Sequence, residues 1–415
     1  MEMGQSMLYK KIRLSEIGAI DYSTTDIIQL NDRWVIAHRD EFSISVTTGL
    51  LETSFDNSET FTKSLAFGNA NKVINGYIFR NGNIVLTTID NKIYLTNIHL
   101  TFITEKILYK ADGITPYPIH NPVNSANPGR YFYTHRYPSH NDNNNVFVMG
   151  NYCNVDGGAT PSIFIYTADW GLTFKIAYEF GVNPNYKDDG TVDGGTTGTS
   201  LGDSNNTVLA RHTHASEYCE YNNKWYFFSG DHSANNEIHW LEAIYSETND
   251  TWDVTKINFG FSIPESSFLK ITDACFYNEY VYYCSDATAG TLENPVNGIY
   301  KVKVEDIADV NKHIKIIDFP DYLHTGSNLK INKDSGNLLF TMVINNAGQF
   351  ATTKLGVATN YGEGSVNYKN YPDANFIRLN NANKKGYFRL DYKKTQTIQN
   401  KSFLIKVGND LFNNV

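Results

Sequence analysis

A short polar turn, an aromatic or β-branched strand and a longer polar loop recur in that order along the whole chain. The clearest copies begin at Asn31, Arg80, Tyr221, Tyr277 and Lys333, and weaker copies lie near Asn143 and Ala382. Their spacing is somewhat wider than the roughly 40–50 residues of a propeller blade, and long polar loops account for the surplus. Hairpin signals at this density, with no helical periodicity between them, predict radially repeated antiparallel sheets.

We therefore predict an all-β fold, a single β-propeller domain over residues 1–415 with seven four-stranded antiparallel blades, or six as the alternative. The composition agrees, because aromatic residues make up 14% of the chain and favour pleated, half-buried surfaces. Hydrophobic residues, at 41%, supply apolar surface for a large core. We expect the ring to close by pairing residues 8–20 with the last blade near 403–407. Residues 181–209 are predicted to form a long loop insertion.

Charge and hydropathy exclude several classes of protein. With 35 Lys and Arg against 44 Asp and Glu, the formal net charge is −9, which argues against a nucleic-acid partner. No run approaches the roughly 18 apolar residues of a membrane helix, so we expect no membrane insertion. The N-terminal segment has charges but no apolar core, so we expect no signal peptide. The four cysteines lack zinc spacing; we expect thiols, with a Cys275–Cys284 disulfide as the alternative.

Two eight-residue segments share a second pattern, S/T-x-D-x-G/S-x-T-F. They are SFDNSETF at residues 54–61 and TADWGLTF at residues 167–174, and LTNIHLTF at residues 95–102 fits more loosely. The pattern resembles the Asp-box, or BNR repeat, of sialidase-like β-propellers. The resemblance implies a turn between the third and fourth strands of a blade, away from the binding face. It assigns structural roles to Ser54, Asp56, Thr60, Phe61, Thr167, Asp169, Gly171, Thr173 and Phe174.

The repeat also predicts where a binding site lies. If each hairpin supplies the first two strands of a blade, the loops after the second strands and the connections entering each blade share one face. These segments carry four of the nine Arg and seven of the eleven His residues of the chain. The predicted ligand-binding residues are His38, Arg39, Asp40, Arg130, Arg136, Arg211, His212, His214, Asp231, His232 and His239.

Several chemistries suit these residue types. Arg39, Arg136 and Arg211 can clamp a carboxylate, with His212 or Asp231 as general acid or base. Sialidases use an arginine triad, a Tyr–Glu pair and an Asp; this chain lacks the Arg-Ile-Pro motif, and no Tyr–Glu pair can be assigned. A polysaccharide lyase, which needs His, Tyr and Arg, is a further alternative. We expect no cofactor; the metal alternative is a divalent ion held by His212, His214 and Asp231.

The loops favour recognition of sugars. Residues 130–145, RYFYTHRYPSHNDNNN, combine Tyr and Arg with Asn and Asp, which stack on sugar rings and bond to hydroxyls. We expect a glycan- or surface-binding protein that acts outside the cell or on a virion, where a phage tail component would meet host polysaccharide and other virion subunits. The alternatives are a sialidase-like hydrolase or a polysaccharide lyase acting on an anionic polysaccharide, and a purely structural assembly protein.

Overall fold

The computed structural model of the chain describes most of its length. The described residues are 26–29, 34–47, 49–56, 60–119, 131–132, 138–141, 143, 145–152, 161–182, 202–230, 236–287, 289–290, 296–319, 324–346, 349–364, 366–372, 374–379, 387–394 and 400–406. Within them the regular structure is β-strand, apart from four one-turn 3-10 helices. These helices are Ala70–Lys72, Val304–Asp306, Val310–Lys312 and Asn360–Gly362.

The strands of the first half form β1 and three sheets. Strand β1 is Asp26–Gln29. Sheet 1 contains β2 (Trp34–Arg39), β3 (Phe42–Thr47), β4 (Leu50–Ser54) and β5 (Lys63–Ala66). Sheet 2 contains β6 (Val73–Ile78), β7 (Asn83–Thr88), β8 (Ile93–Asn97) and β9 (Ile103–Lys106). Sheet 3 contains β10 (Leu108–Tyr109), β11 (Ser139–Asn141), β12 (Val146–Gly150), β13 (Ile163–Thr167) and β14 (Phe174–Glu179).

The second half forms four further sheets. Sheet 4 contains β15 (Thr213–Cys219), β16 (Lys224–Ser229), β17 (His239–Ser246) and β18 (Thr251–Lys256). Sheet 5 contains β19 (Ile271–Tyr277), β20 (Tyr280–Ser285), β21 (Gly298–Lys303) and β22 (Ile314–Asp318). Sheet 6 contains β23 (His324–Ile331), β24 (Leu338–Asn346), β25 (Gln349–Ala358) and β26 (Val366–Pro372). Sheet 7 contains β27 (Ala374–Leu379), β28 (Tyr387–Lys394), β29 (Asn400–Lys406) and β1.

The sheets are antiparallel meanders in which strands consecutive in sequence are neighbours, and in sheet 7 the fourth strand is β1, which pairs with β29. Sheet 3 has a fifth strand, because β10 pairs in parallel with the outer edge of β14. The first strands of successive sheets pack against one another, as β2 does on β6, β15 on β19 and β19 on β23. This radial arrangement of four-stranded antiparallel sheets is a β-propeller, and the all-β prediction is confirmed. The described residues hold seven sheets; the number of blades in the whole ring stays a prediction.

The core consists of apolar layers between neighbouring sheets. Phe164 of sheet 3 stacks on Phe227 of sheet 4 with ring centroids 4.3 Å apart. Tyr226 of sheet 4 stacks in the same way on Phe276 of sheet 5, at 4.8 Å. Such layers form because alternate residues of a strand point to opposite faces, and apolar clusters fill the spaces between consecutive sheets from sheet 1 to sheet 6. Neighbouring sheets are therefore joined by packed side chains.

The strand order gives the ring two distinct ends. One end carries the turn from the first to the second strand of each sheet and the turn from the third to the fourth; we call it the hairpin face. The other end carries the second-to-third connections and the entry into the next sheet; we call it the loop face. In antiparallel sheets these two sets of connections cannot meet. The face of any residue therefore follows from its strand register.

The ring closes between the two ends of the described chain. Strand β1 pairs antiparallel with β29, with Asp26 opposite Lys406 and Gln29 opposite Phe403. The pairing predicted for residues 8–20 lies outside the described residues. In the predicted insertion at 181–209, Gly181 N–H bonds to the Val208 carbonyl at 2.9 Å, so the described ends of the insertion meet.

The cysteines with described positions are not joined by a disulfide. Cys219, Cys275 and Cys284 are buried thiols, and Cys153 lies outside the described residues. Cys275 and Cys284 occupy adjacent strands, but Cys275 faces Tyr282 and Cys284 faces Asp273 in the strand register. The expectation of thiols rather than a Cys275–Cys284 bond agrees with this arrangement.

Candidate functional site

The structure separates the predicted site residues onto two faces. Strand β2 is the first strand of sheet 1, so the turn after Arg39 is a first-to-second turn and lies on the hairpin face. Arg211 lies in the connection that enters sheet 4, on the loop face. The prediction that His38, Arg39 and Asp40 share a face with Arg211 is therefore wrong. The polar segment before Trp34 resembles a hairpin turn locally, but it precedes the innermost strand of a sheet.

The loop face keeps part of the predicted set together. Arg211, His212 and His214 lie in or next to the first half of β15, and His239 begins β17 of the same sheet. The remaining predicted loop-face residues lie outside the described part of the chain. These are Arg130, Arg136, Asp231 and His232. The loop-face cluster, as used below, is Arg211, His212, His214 and Tyr152.

Two histidines form the buried base of this cluster. His212 and His214 are two residues apart at the start of β15, and their Nε2 atoms are 3.0 Å apart. His214 Nδ1 contacts the Ile271 carbonyl, so Nδ1 carries the proton and donates it. In the neutral pair, His214 Nε2 is then the acceptor and His212 Nε2–H the donor. The backbone of sheet 5 thereby fixes the tautomers of both rings.

A tyrosine covers this histidine pair. The ring of Tyr152 stacks on that of His212, with centroids 4.0 Å apart and planes inclined by 25°. The backbone holds the stack in place, because Thr213 N–H and Oγ1–H both donate to the Asn151 carbonyl, at 3.0 and 2.7 Å. Tyr152 was not among the predicted site residues. The stack joins segments some sixty residues apart in sequence, and no local pattern signals it.

Arg211 is oriented by a buried carboxylate. Its Nε lies 3.8 Å from Oε2 of Glu237, whose side chain is fully buried. Gly230 brings these segments together, since its N–H donates to the His212 carbonyl at 2.9 Å. Gly230 has φ +86°, and a Cβ at this position would lie 1.6 Å from the Glu237 carbonyl oxygen. Only glycine fits here, so the loop-face cluster depends on one backbone position.

His239 beside this cluster is neutral in the folded protein. Its Nε2 donates to the Leu209 carbonyl at 2.9 Å. Burial lowers the pKa of His239 from 6.5 to about 4, and the nearby charge of Lys256 adds to the effect. An imidazole held neutral by burial is a structural hydrogen-bond donor rather than a cation for an anionic ligand.

We expect the burial of His239 to make stability fall with acidification. The unfolded chain takes up this proton below about pH 6.5, whereas the folded protein takes it up only near pH 4. The contribution is therefore intact above pH 6.5 and is lost as the pH falls, by about 2–3 kcal/mol at pH 4.5. Urea unfolding at pH 7.5 and 4.5 measures it. His239→Gln should lose this share of the pH dependence, while His99→Gln, at an exposed turn, should keep it; equal pH dependence in both variants would contradict the assignment.

The hairpin face has a cavity of about 830 Å³ around the axis, which we call the basin. It is lined by the ends of first strands and by their turns, from sheets 1 to 6. His38, Arg39 and Asp40 belong to this lining, together with His140 and Glu217. Arg39 Nη1 donates to Tyr77 OH at 3.3 Å. The basin is thus separate from the loop-face cluster.

A buried ion triad lies beside the floor of the basin. Lys330 Nζ is 3.2 Å from Glu217 Oε1 and 3.3 Å from Asp273 Oδ2, and the side chains of Lys330 and Asp273 are 3% and 0% exposed. Burial lowers the pKa of Lys330, but the two carboxylates outweigh it and raise that pKa above the usual value. Burial raises the pKa of Glu217. The triad connects β15, β19 and β23, the first strands of three sheets.

The Asp-box segments form equivalent turns. Asp169 Oδ1 accepts from Thr167 Oγ1 and Thr173 N, at 2.8 and 2.9 Å, between β13 and β14. Asp56 Oδ1 accepts from Ser54 Oγ and Thr60 N, at 2.7 and 2.8 Å, between β4 and β5. In the looser copy, Asn97 Oδ1 accepts from the N–H groups of His99 and Thr101. All three turns join third and fourth strands, where the side-chain oxygen atoms of Asp or Asn accept hydrogen bonds from the turn itself.

Other residues of the two Asp-boxes also have structural roles. Phe174 is fully buried in the layer between sheets 2 and 3. The N–H of Gly171 donates to Thr167 Oγ1 at 3.0 Å. Phe61 is only partly buried. The two boxes thus differ in how deeply they bury their aromatic residue.

No group of three or more His, Cys, Asp or Glu side chains in the described ranges is arranged to hold a metal ion. Of the three predicted metal ligands, His212 and His214 are described and offer two nitrogen atoms between them, whereas Asp231 lies outside those ranges. The absence of a cofactor stays a prediction. Among the same residues, no helix has the length and apolar character needed to cross a membrane.

Comparison with known proteins finds no matching family model and no matching curated protein. Among solved structures, the chain is similar to one described as YCF48 bound to D1 peptide. The TM-score is 0.47 at 10% sequence identity, over 94% of this chain and 99% of that chain. The chain is a β-propeller by its own sheet arrangement.

Proposed function

We propose that this β-propeller binds a glycan on its loop face, at the loop-face cluster. The observation that carries the proposal is the stack of Tyr152 on His212, at 4.0 Å, over the tautomer-fixed histidine pair. Tyr152 is half-buried, so part of its surface remains available to a ligand. A ring supported from beneath loses little conformational freedom on binding, which favours recognition of a flat sugar face.

Arg211 adds a polar contact next to this platform. It is half-buried and directly precedes His212, and Glu237 limits its conformations. A guanidinium in a fixed orientation donates to hydroxyl or carboxylate oxygen atoms of a saccharide. An aromatic surface with a neighbouring Arg supports binding of acidic as well as neutral sugars.

Substitution of Tyr152 tests the binding proposal. We expect Tyr152→Ala to weaken glycan binding at least tenfold, because the stacking surface is removed. The measurement is affinity gel retardation with a panel of acidic and neutral polysaccharides, followed by calorimetry on the best ligand. Tyr221→Ala is the matched control, since Tyr221 is 56% exposed in the β15–β16 turn on the hairpin face. Equal retardation of Tyr152→Ala and the unaltered protein would refute loop-face binding.

A second candidate function is β-elimination on a uronate polysaccharide, and the grouping of Tyr152, His212, His214 and Arg211 favours it. In this reaction a base removes the C5 proton, the glycosidic oxygen leaves C4 with a proton from an acid, and a C4=C5 double bond forms. Arg211 would neutralise the carboxylate that acidifies C5. Ultraviolet absorbance from unsaturated uronate, lost in His212→Gln, would support the lyase over the binder.

The hydrolase alternative loses support from the fold, because Arg39 is on the hairpin face and cannot join Arg211 in a clamp.

We propose an extracellular or virion-associated place of action, since polysaccharides of host surfaces are met there. Mass spectrometry of assembled particles tests this location. A purely structural assembly protein would instead retain no polysaccharide and would have its loop face covered by a partner chain.

A further inference from the structure

The basin on the hairpin face has the form of a ligand site. Its volume of about 830 Å³ lies within the roughly 300–1,000 Å³ of small-molecule sites. Its walls are strand ends and tight turns of six sheets rather than long loops. The shape is therefore set by the sheets themselves, and a ligand would meet a preformed cavity.

Aromatic side chains form part of the wall. Tyr77, Tyr218 and Phe276 line it from sheets 2, 4 and 5. Tyr77 is held by Arg39 through its hydroxyl and packs edge-on against His140, with centroids 5.5 Å apart. Tyr218 is half-buried and packs on Trp225 at 5.3 Å. These rings are fixed before any ligand arrives.

The charges of the lining are nearly balanced. The cations are Arg39, Arg80 and Lys333, and the carboxylates at the rim are Asp40, Glu41, Glu220 and Asp334. Lys333 and Glu220 are paired at 3.1 Å, and Glu217 at the floor is paired with Lys330. With Glu217 paired with Lys330, four carboxylates stand against three cations, so a polyanion meets no field of opposite sign and a cationic ligand meets only a weak one. The lining nevertheless offers many charged hydrogen-bond donors and acceptors.

We infer that the basin binds a neutral oligosaccharide, independently of the loop-face site. Carboxylates and guanidinium groups bond strongly to hydroxyl groups, and the half-buried ring of Tyr218 offers a surface for the C–H face of a sugar ring. A ligand with many hydroxyls and no charge uses both features and needs no counter-charge. The protein would then hold two saccharides, one at each end of the ring.

The test uses the full chain and neutral cello-, xylo-, manno- and galacto-oligosaccharides in calorimetric titrations. We expect one of these series to bind, and Tyr218→Ala to weaken its binding at least tenfold. Tyr221→Ala is the matched control, since this tyrosine of the same hairpin is outside the lining. Arg39→Ala is a second basin variant, because Tyr218→Ala also loses the Trp225 contact. Tyr152→Ala should leave the binding that Tyr218→Ala weakens unchanged and remove at most a second binding event, which separates the basin from the proposed loop-face function.

Four results would overturn the inference. The first is the absence of binding by every neutral series at millimolar concentration. The second is equal affinity in Tyr218→Ala, Arg39→Ala and the unaltered protein. The third is loss of binding in Tyr152→Ala instead, which would place the neutral sugar on the loop face. Binding of polylysine or of an acidic polysaccharide alone, sensitive to the basin variants, would assign the basin to another ligand class.

Discussion

Replacing Lys330 with methionine is expected to lower the free energy of unfolding by about 3–5 kcal/mol. The substitution keeps most of the side-chain volume but removes the cation from between Glu217 and Asp273, which are 13% and 0% exposed. Two buried carboxylates would then lack their common partner. Asp273 cannot turn to solvent, because its oxygen atoms also accept the N–H groups of Ala274 and Leu329, at 3.0 and 2.9 Å.

The matched control lies three residues further along the chain. Lys333 pairs with Glu220 at a similar distance, 3.1 Å, but these side chains are 53% and 69% exposed. Lys333→Met should cost less than about 1 kcal/mol, since exposed ion pairs contribute little. Urea unfolding of both variants at pH 7 measures the difference. If the two variants unfold within 1 kcal/mol of each other, the triad has no special role in joining the three sheets.

The second large effect is expected at Gly230. Gly230→Ala places a methyl group against the Glu237 carbonyl, where the ideal Cβ would be 1.6 Å from the oxygen. Backbone must move, so we expect a loss of more than about 3 kcal/mol in the free energy of unfolding. The movement would also disturb the hydrogen bond from Gly230 N–H to His212 and the pairing of Glu237 with Arg211. Binding on the loop face should fall with stability.

Gly260 separates the two causes of this loss. It has a similar positive φ, +79°, but a Cβ there would meet nothing within 4 Å. Gly260→Ala therefore measures left-handed backbone strain alone, about 1–2 kcal/mol. Thermal and urea unfolding of the two alanine variants give the comparison. A cost at Gly230 no larger than at Gly260 would show that the loop around Glu237 yields easily to a methyl group.

Much of the fold follows from the sequence because its signals are local. The hairpin turns at Arg80, Tyr221, Tyr277 and Lys333 each join first and second strands, as the repeat predicts. The Asp-box turns at Asp56 and Asp169 are likewise specified within a few residues. Turn chemistry of this kind acts over four or five positions, and a sequence pattern detects it.

The copy at Asn31 shows where local signals fail. A polar turn that enters a sheet and one that joins two strands of it have the same composition. The distinction depends on β1, which completes sheet 7 before sheet 1 begins. The prediction took β2 as the second strand of its sheet, although it is the first, and therefore assigned Arg39 to the opposite face. The same limit applies to Tyr152 and Lys330, because their partners His212 and Glu217 come from distant strands that only the closed ring brings near.

The pairing of β1 with β29 has a mechanical consequence. Asp26 is opposite Lys406, so the chain leaves both strands at the same end of the pair. Tension applied through the two ends would open this pair one hydrogen-bonded rung at a time, like a zipper, instead of shearing all its rungs together. Sheet 7 is therefore expected to be the first to yield under load. Tethers attached directly before Asp26 and directly after Lys406 would emerge side by side from one edge of the ring.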